Sequence, residues 1–358
     1  MYCIGVDEAG YGPRLGPLVI SATIWQLPDG LQPEQMYQHL SGPILSKPPV
    51  RKQSNLCKNA KGMLSGISGC PNAWTAGCSE KTATQKQWAP LVIGDSKLVY
   101  TRQGRPGLER TVLVMLTAAG NRPSNWIDLL EAVTFDPESQ QAALAWYPAY
   151  WPRVPESISP EEIGGLAQWV AERLAERGIR FLGGRSLFLF PERFNRLVSH
   201  YGNKATMLSL QTLELVRRLL EELPTGVVQV VCDKHGGRDK YVDLLSATFA
   251  PSFFQPAQVK PVQESRQESI YQIPRGNGMV SFRFRCSGES LLPVALASML
   301  SKYLRELAME AWNRFWTEQL PGIRPTAGYP TDARRFRAAI ATRQAALGIP
   351  DSAIWRNR

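Results

Sequence analysis

A short apolar run at residues 2–6 leads directly into two adjacent carboxylates, Asp7 and Glu8. Such a run, followed by Gly10 and Gly12, predicts a buried strand and then a turn. A carboxylate at the end of a buried strand is costly to desolvate unless a cation or several hydrogen-bond donors compensate its charge. This segment constrains the fold more than any other, because its surroundings have to supply that compensation.

A second apolar run, residues 227–231, is followed closely by Asp233. If the two runs form neighbouring strands, their acids converge at one edge of a sheet. Mg²⁺ and Mn²⁺ prefer oxygen ligands, and two such ions can activate water and stabilise the leaving oxygen in phosphodiester cleavage. The alternative is that Asp7 and Glu8 are turn and helix-cap residues and that Asp233 is a solvated strand end.

Apolar patterning along the rest of the chain predicts strands that alternate with helices. Further strands are expected at residues 18–25, 180–190 and 279–285, and helices at 161–177, 205–223 and 291–315. This alternation predicts an α/β fold, with a mixed sheet packed by helices. Residues 42–90 are rich in Ser, Gly, Lys and Pro without an apolar period, which predicts a long loop or insertion.

The chain has 358 residues and a formal net charge of +10, which points to a polyanionic partner such as nucleic acid or an anionic membrane surface. A hydrophobic fraction of 44% excludes disorder throughout. Neither a signal peptide nor a membrane span is expected, since Asp7 and Glu8 interrupt the first apolar run. The six cysteines form no CxxC pair, so we expect a reduced, cytoplasmic protein.

Five segments resemble, in family order, the motifs of type 2 ribonuclease H (ribonuclease HII), a family with the ribonuclease H fold. They are IGVDEAGYGPRLGP at 4–17, GDSK at 94–97, VVCD at 230–233, ASMLSKYLRE at 297–306 and AGYPTD at 327–332. The resemblance covers about half of the chain. It implies a ribonuclease H-like catalytic domain at 1–340, with insertions at about 42–90 and 121–178, and a C-terminal tail at 341–358.

The resemblance implies that Asp7, Glu8 and Asp233 are catalytic acids that bind metal. Glu306 would be the fourth, at a position where the family usually has Asp. The alternative for Glu306 is an exposed helix residue that pairs with Lys302 at i, i+4. The implied activity is hydrolysis of the RNA strand of RNA–DNA hybrids with two Mg²⁺ or Mn²⁺ ions, leaving 5′-phosphate and 3′-hydroxyl ends, and a monomer is favoured.

The turn Gly10-Tyr11-Gly12 resembles the family's Gly-Arg-Gly turn, which recognises a ribonucleotide–deoxyribonucleotide junction. Its glycines keep the close backbone approach that a missing Cβ allows, but Tyr11 cannot form the planar fork of an arginine. Tyr329 matches the family tyrosine that packs against the sugar beside the cleavage point. Its alternative is a loop aromatic that covers the core.

Three further residues are implied to contact the nucleic-acid backbone. Lys97 and Lys302 would bind phosphate as point charges, and Ser96 would hydrogen-bond the backbone. Surface lysines are usually only solvated, so these roles depend on the aligned motifs.

Asp233 is followed by a basic, glycine-hinged loop that the resemblance does not explain. Within it His235 has the chemistry to pass a proton to the leaving oxygen, and Arg238 to clamp a phosphate. The alternative for His235 is a surface residue.

Other functions stay open. One is a nuclease on the same fold that acts on structured RNA or DNA, and another is a non-catalytic nucleic-acid-binding protein that retains the fold. A third is a generic α/β enzyme in which the motifs are accidental.

Overall fold

A seven-stranded sheet forms the centre of the protein in the computed structural model, which describes residues 1–49, 88–138, 148–250 and 258–357. Its strands are β1 Tyr2–Ala9, β2 Leu18–Gln26, β5 Arg180–Leu189, β6 Val228–Asp233, β7 Lys260–Glu264, β8 Glu268–Arg275 and β9 Gly278–Arg285. A separate two-stranded sheet consists of β3 Ile44–Leu45 and β4 Leu91–Val92. Across the large sheet the order is β5-β2-β1-β6-β9-β8-β7.

Strands β1, β6 and β9 run parallel to one another at the middle of this sheet, and the other pairs of neighbours are antiparallel. Val6 of β1 lies beside Cys232 of β6, so the next residue in each strand is an aspartate, Asp7 or Asp233. Parallel neighbours end at the same edge of a sheet. The two acid-bearing strands are therefore neighbours, which is the condition under which their acids converge at one edge.

Helices cover both faces of the sheet. They are α1 Met36–His39, α2 Ser96–Ala118, α3 Trp126–Val133, α4 Pro160–Ala175, α5 Pro191–Tyr201, α6 Lys204–Glu222, α7 Val242–Phe249, α8 Leu292–Gln319, α9 Pro330–Ala346 and α10 Asp351–Ile354. The core on one face of the sheet includes buried residues of α2, α3, α4, α8 and α9. The core on the other face includes buried residues of α5, α6 and α7. Cys3 and Ile4, neighbours in β1, are fully buried in opposite cores, as expected of a strand covered on both sides.

The predicted α/β fold, a mixed sheet flanked by helices, is confirmed. The helices expected at 161–177, 205–223 and 291–315 correspond to α4, α6 and α8, and the expected strands correspond to β2, β5 and β9.

Helix α8 lies directly against β1 because Gly5 leaves room for it. A Cβ at Gly5 would overlap the backbone of Pro293 in the first turn of the helix. The Thr23 hydroxyl donates to the Pro293 carbonyl at 2.7 Å, and the Ser301 hydroxyl donates to the Asp7 carbonyl at 3.1 Å. These contacts fix the helix beside the strand end that carries the two acids.

The predicted insertion at 121–178 contains α3 and α4, which pack in the core, and Glu109 of α2 binds the chain just before α4. This fully buried carboxylate accepts hydrogen bonds from the backbone N–H groups of Glu156 and Ser157, at 3.0 and 2.6 Å. It also accepts one from the Ser157 hydroxyl and one from Tyr303 of α8. Of the other predicted insertion, 42–90, residues 50–87 lie outside the described residues.

The C-terminal segment returns to the centre of the molecule. The division proposed between 340 and 341 falls inside α9, and the chain beyond that helix packs back so that Trp355 pairs with Leu15. The backbone N–H of Arg356 donates to the Arg14 carbonyl at 2.9 Å. The last described residues therefore lie beside the turn that follows β1.

In the part of the chain that the structure describes, none of the helices has the length and apolar character needed to cross a bilayer.

Candidate active site

Asp7 and Glu8 lie near the end of β1 and belong to the strand itself, not to a turn or a helix cap. Burial raises the pKa of the Asp7 carboxyl to about 7, a hydrogen bond from Ser298 opposes the shift, and nearby Asp233 contributes to it. Burial also raises the pKa of Glu8 well above its ordinary value, and Asp7 and Asp233 raise it further. Asp233 thus makes ionisation of both Asp7 and Glu8 harder.

Asp233 is the last residue of β6, and the turn after β9 holds its side chain in place. The Gly288 N–H donates to the Asp233 carboxylate at 2.8 Å. A Cβ on Gly288 would lie 3.1 Å from the Asp233 backbone nitrogen. Glycine therefore allows this turn to close onto the strand end.

A fourth acid, Glu289, reaches the same place from the turn Gly288–Ser290. Burial raises the pKa of Glu289; nearby Asp95 and, more weakly, Asp233 raise it too, while Lys97 lowers it. Our sequence reasoning missed this residue. A usable signal was present, because β9 is the third parallel strand and a carboxylate four residues beyond its end is carried to the same edge. We refer to Asp7, Glu8, Asp233 and Glu289 as the edge acids.

The predicted residues Ser96 and Lys97 lie at the start of α2, beside the edge acids. Asp95 caps this helix by accepting the N–H groups of Lys97 and Leu98, at 2.8 and 3.0 Å. The exposed Lys97 is close enough to lower the pKa of Glu8, which burial raises. The buried Ser96 hydroxyl lies 3.0 Å from that of Ser298, the residue that hydrogen-bonds Asp7.

Glu306, the predicted fourth acid, has different partners. Its carboxylate lies 2.5 Å from the amine of Lys302 and accepts a hydrogen bond from Tyr100 at 3.0 Å. The same Lys302 amine lies 4.4 Å from the centre of the Tyr100 ring. This is the i, i+4 pairing that was the alternative for Glu306, and it engages the predicted phosphate contact Lys302 as well.

The turn Gly10-Tyr11-Gly12 lies between the edge acids and an exposed aromatic ring. Gly10 has φ of 93°, and a Cβ there would lie 2.6 Å from the Arg305 guanidinium, so a side chain is excluded at this position. Gly12 faces the ring of Tyr329, whose exposed fraction is 56%. The turn and Tyr329 together present backbone and a flat aromatic face to solvent.

His235 is neither a surface residue nor placed as a proton donor. It is buried, with its Nδ1 3.0 Å from the Ser209 hydroxyl and its ring against Tyr241 and Phe284. Burial, together with the nearby charge of Arg238, lowers the pKa of His235 to about 4. A neutral imidazole packed among aromatic rings fits a structural role better than the predicted proton transfer.

Arg238, the other auxiliary candidate, donates to the Thr206 hydroxyl at 3.0 Å. Its guanidinium is thus engaged with helix α6.

The edge acids suit a divalent cation by their chemistry. Among the described residues no three His, Cys, Asp or Glu side chains already stand in the arrangement of a metal cluster. The edge acids nevertheless supply only carboxylate oxygens, the donors that Mg²⁺ and Mn²⁺ prefer. Asp233 also raises the pKa values of Asp7, Glu8 and Glu289, a repulsion that a cation would relieve.

No protein-family model and no curated protein matches this chain. Similar solved structures include the ribonuclease H2 from Pyrococcus horikoshii, at 13% identity and a TM-score of 0.38, over 99% of this chain and 92% of that one. The RNase HII of Archaeoglobus fulgidus, in a PCNA complex, is 14% identical with a TM-score of 0.38, and the match covers 100% of this chain and 95% of that one. Bst-RNase HIII in complex with Mn²⁺ is 13% identical with a TM-score of 0.38, and the match covers 99% of this chain and 66% of that one.

Proposed function

We propose that this protein is a divalent-cation-dependent endonuclease of the type 2 ribonuclease H kind, which hydrolyses the RNA strand of RNA–DNA hybrids. The observation that carries the proposal is the convergence of four carboxylates at the ends of three parallel strands, where burial and neighbouring carboxylates raise the pKa values of Asp7, Glu8 and Glu289. A chain of net charge +10 gains nothing from such a cluster in binding a polyanion. The cluster therefore supports catalysis over passive binding.

In this proposal Asp7, Glu8, Asp233 and Glu289 hold Mg²⁺ or Mn²⁺. When bound, such cations stabilise the attacking and leaving oxygens of phosphodiester hydrolysis, which would leave 5′-phosphate and 3′-hydroxyl ends. The chain itself orients the acids, because Ser298 hydrogen-bonds Asp7 and the Gly288 N–H holds Asp233. Glu306 takes a positioning role, fixing Lys302 for a phosphate.

The substrate would lie over the turn Gly10-Tyr11-Gly12. Exposed backbone at Gly12 and the exposed Tyr329 ring offer contacts to a sugar, and a 2′-hydroxyl both donates and accepts hydrogen bonds there. Ser96 and Lys97 border the edge acids from the other side. Tyr11 replaces the family arginine, so recognition of a ribonucleotide–deoxyribonucleotide junction is expected to differ from that of the family.

Cleavage of four substrates tests the proposal: a uniform RNA–DNA hybrid, a duplex with a single embedded ribonucleotide, duplex DNA and duplex RNA, each with Mg²⁺ and with Mn²⁺. We expect cleavage of the uniform hybrid by the natural chain and none by Asp233→Asn. Preferred cleavage of duplex DNA or duplex RNA would instead support a different nuclease on this fold. Salt-dependent binding with no turnover in either metal would support a non-catalytic protein.

A further inference from the structure

Four cationic side chains surround the segment that follows β1, residues 10–14. The Lys204 amine donates to the Tyr11 backbone carbonyl at 3.0 Å and lies 4.1 Å from the centre of the Tyr11 ring. The Arg356 guanidinium donates to the Pro13 carbonyl. Arg305 lies against Gly10, and Arg14 belongs to the segment itself. We call Arg14, Lys204, Arg305 and Arg356 the turn cations.

Three of the four turn cations have no acidic partner among the described residues, and the fourth has only a distant one. Within the described ranges, Arg14, Lys204 and Arg356 form no ion pair with a carboxylate, and Arg305 is 3.9 Å from Glu306, which already binds Lys302. Arg356 is only 1% exposed, and its Nε and Nη1 have no hydrogen-bond partner among the described residues. A buried cation without a partner is strongly destabilising on its own.

The turn cations also act on one another. Burial, together with the nearby charges of Arg305 and Arg14, lowers the pKa of Arg356 to about 9. Burial lowers the pKa of Lys204 as well, and Arg356 and Arg14 contribute to that shift. The positive charge at this place is therefore concentrated, and an anion would relieve both its burial cost and its repulsion.

An anion can approach from the side of the turn. Gly12 is exposed, and Arg14 and Lys204 are only partly buried, whereas Arg305 and Arg356 are buried. The turn is adjacent to the exposed ring of Tyr329. A ligand at the turn would contact the accessible Arg14 and Lys204 and interact electrostatically with the two buried arginines.

We propose that the turn cations form a binding site for a phosphate group, which the C-terminal segment completes by supplying Arg356. The phosphate is taken to come from the backbone of a bound nucleic acid, a source that rests on the proposed function. Lys and Arg side chains bind backbone phosphates through charge-assisted hydrogen bonds. The buried arginine then gains the counter-charge that the described part of the protein does not supply.

The first experiment measures binding of a labelled RNA–DNA hybrid to Asp233→Asn protein, with no divalent cation, over a series of salt concentrations. Adding Lys204→Met should weaken binding by about ten-fold, since one charge-assisted hydrogen bond is lost. It should also reduce the slope of log affinity against log salt concentration by about 1, since one phosphate contact is lost. Arg356→Met should weaken binding about three- to ten-fold, and Arg356→Lys should restore most of the loss because it keeps the charge.

Arg337→Met is the matched control. Arg337 also packs on Trp355, at 4.7 Å from its ring, but it has an acidic partner in Asp351. Hybrid affinity within about two-fold of the parent is expected for this variant, since an exposed paired cation contributes little.

A second experiment separates a binding role of Arg356 from simple anchoring of the C-terminal segment. Inorganic phosphate should raise the unfolding temperature of the parent and of Arg337→Met, and raise that of Lys204→Met and Arg356→Met less. Equal phosphate stabilisation and equal hybrid affinity in all forms would overturn the site.

Two mixed results are also decisive. A phosphate effect that depends on Lys204, with unchanged hybrid affinity, would overturn the nucleic-acid source in favour of free phosphate. Hybrid binding that depends on Lys204 in a protein that cleaves no substrate would support the phosphate site and overturn the proposed function instead.

Discussion

Two sets of carboxylates in this protein have opposite surroundings. Glu109 is fully buried and accepts hydrogen bonds from two backbone N–H groups and two hydroxyls. At the strand ends, Asp7 and Asp233 each have a hydrogen-bond donor in Ser298 or Gly288, and they otherwise face one another and Glu8. Glu109 is thus compensated by four donors, whereas the edge acids lie near one another with fewer donors among the described residues. The difference is that between a carboxylate that stabilises the fold and carboxylates that, in our proposal, bind a cation.

The largest expected effect is at the edge acids themselves. Asp7→Asn and Asp233→Asn should each reduce Mg²⁺-dependent hybrid cleavage by at least about 10³-fold, because each removes a negatively charged metal ligand. The unfolding temperature of the metal-free protein should stay the same or rise, since repulsion is lost. Single-turnover cleavage and thermal unfolding measure the two effects. Full activity in either variant would remove the metal-binding assignment.

The pair Glu289→Gln and Glu306→Gln sharpens the comparison, since the two residues compete for the role of fourth ligand. We expect Glu289→Gln to lower cleavage by about 10²-fold and Glu306→Gln by less than about ten-fold, as for a residue that orients a contact. The reason is that Glu289 is coupled to Asp233 whereas Glu306 pairs with Lys302 and Tyr100. The reverse order in a cleavage assay would return the role to Glu306.

Glu109→Gln should have the opposite signature, with a loss of stability. An amide nitrogen cannot accept the donors that Glu109 binds, so we expect the free energy of unfolding to fall by about 3 kcal/mol. Glu131→Gln, on the exposed side of α3, is the matched control and should change it by less than about 0.5 kcal/mol. Urea unfolding measures both. An unchanged midpoint in Glu109→Gln would contradict the structural role.

The smallest expected effect is a pH dependence. Burial raises the pKa of Asp7 from 3.8 to about 7, so the folded protein binds more protons than the unfolded one between these values. The free energy of unfolding without metal should therefore fall as pH rises from about 4 to about 7. The fall should be at least about 1 kcal/mol, less than the full shift gives because Asp7 is partly exposed.

Mg²⁺ should flatten this dependence. Asp7→Asn should lose the part that Asp7 carries and keep a smaller part of the same sign from Glu8, whose pKa burial also raises. Urea unfolding across the pH range, with a chelator or with Mg²⁺, measures these differences. An identical pH profile for Asp7→Asn and the natural chain would show that Asp7 does not carry the effect.

Much of the fold follows from local pattern. The apolar run before Asp7 is long enough for a strand, and the one before Asp233 is continuous, as in a strand buried on both faces. These two apolar runs predicted the positions of three of the four edge acids, namely Asp7, Glu8 and Asp233. The spacing of apolar residues likewise predicted α6.

Glu289 and Arg356 were not predicted, because their positions depend on distant pairings. Glu289 reaches the site only because β9 lies beside β6, and its turn is fixed by a hydrogen bond between residues 55 positions apart. Arg356 donates to Pro13, 343 positions away, after the chain end has packed on Leu15. Local periodicity does not determine such contacts, since packing of the whole chain decides them. His235 shows the converse, because its loop pattern did not reveal burial against Phe284.

The central claim is that the edge acids, Asp7, Glu8, Asp233 and Glu289, form one cation site. Titration with Mn²⁺, followed by electron paramagnetic resonance of the free ion at neutral pH, tests it without any substrate. We predict that the natural chain and Glu306→Gln bind Mn²⁺ alike, and that Asp233→Asn and Glu289→Gln bind at least about ten-fold more weakly. Binding by Asp233→Asn and Glu289→Gln equal to that of the natural chain would contradict the account.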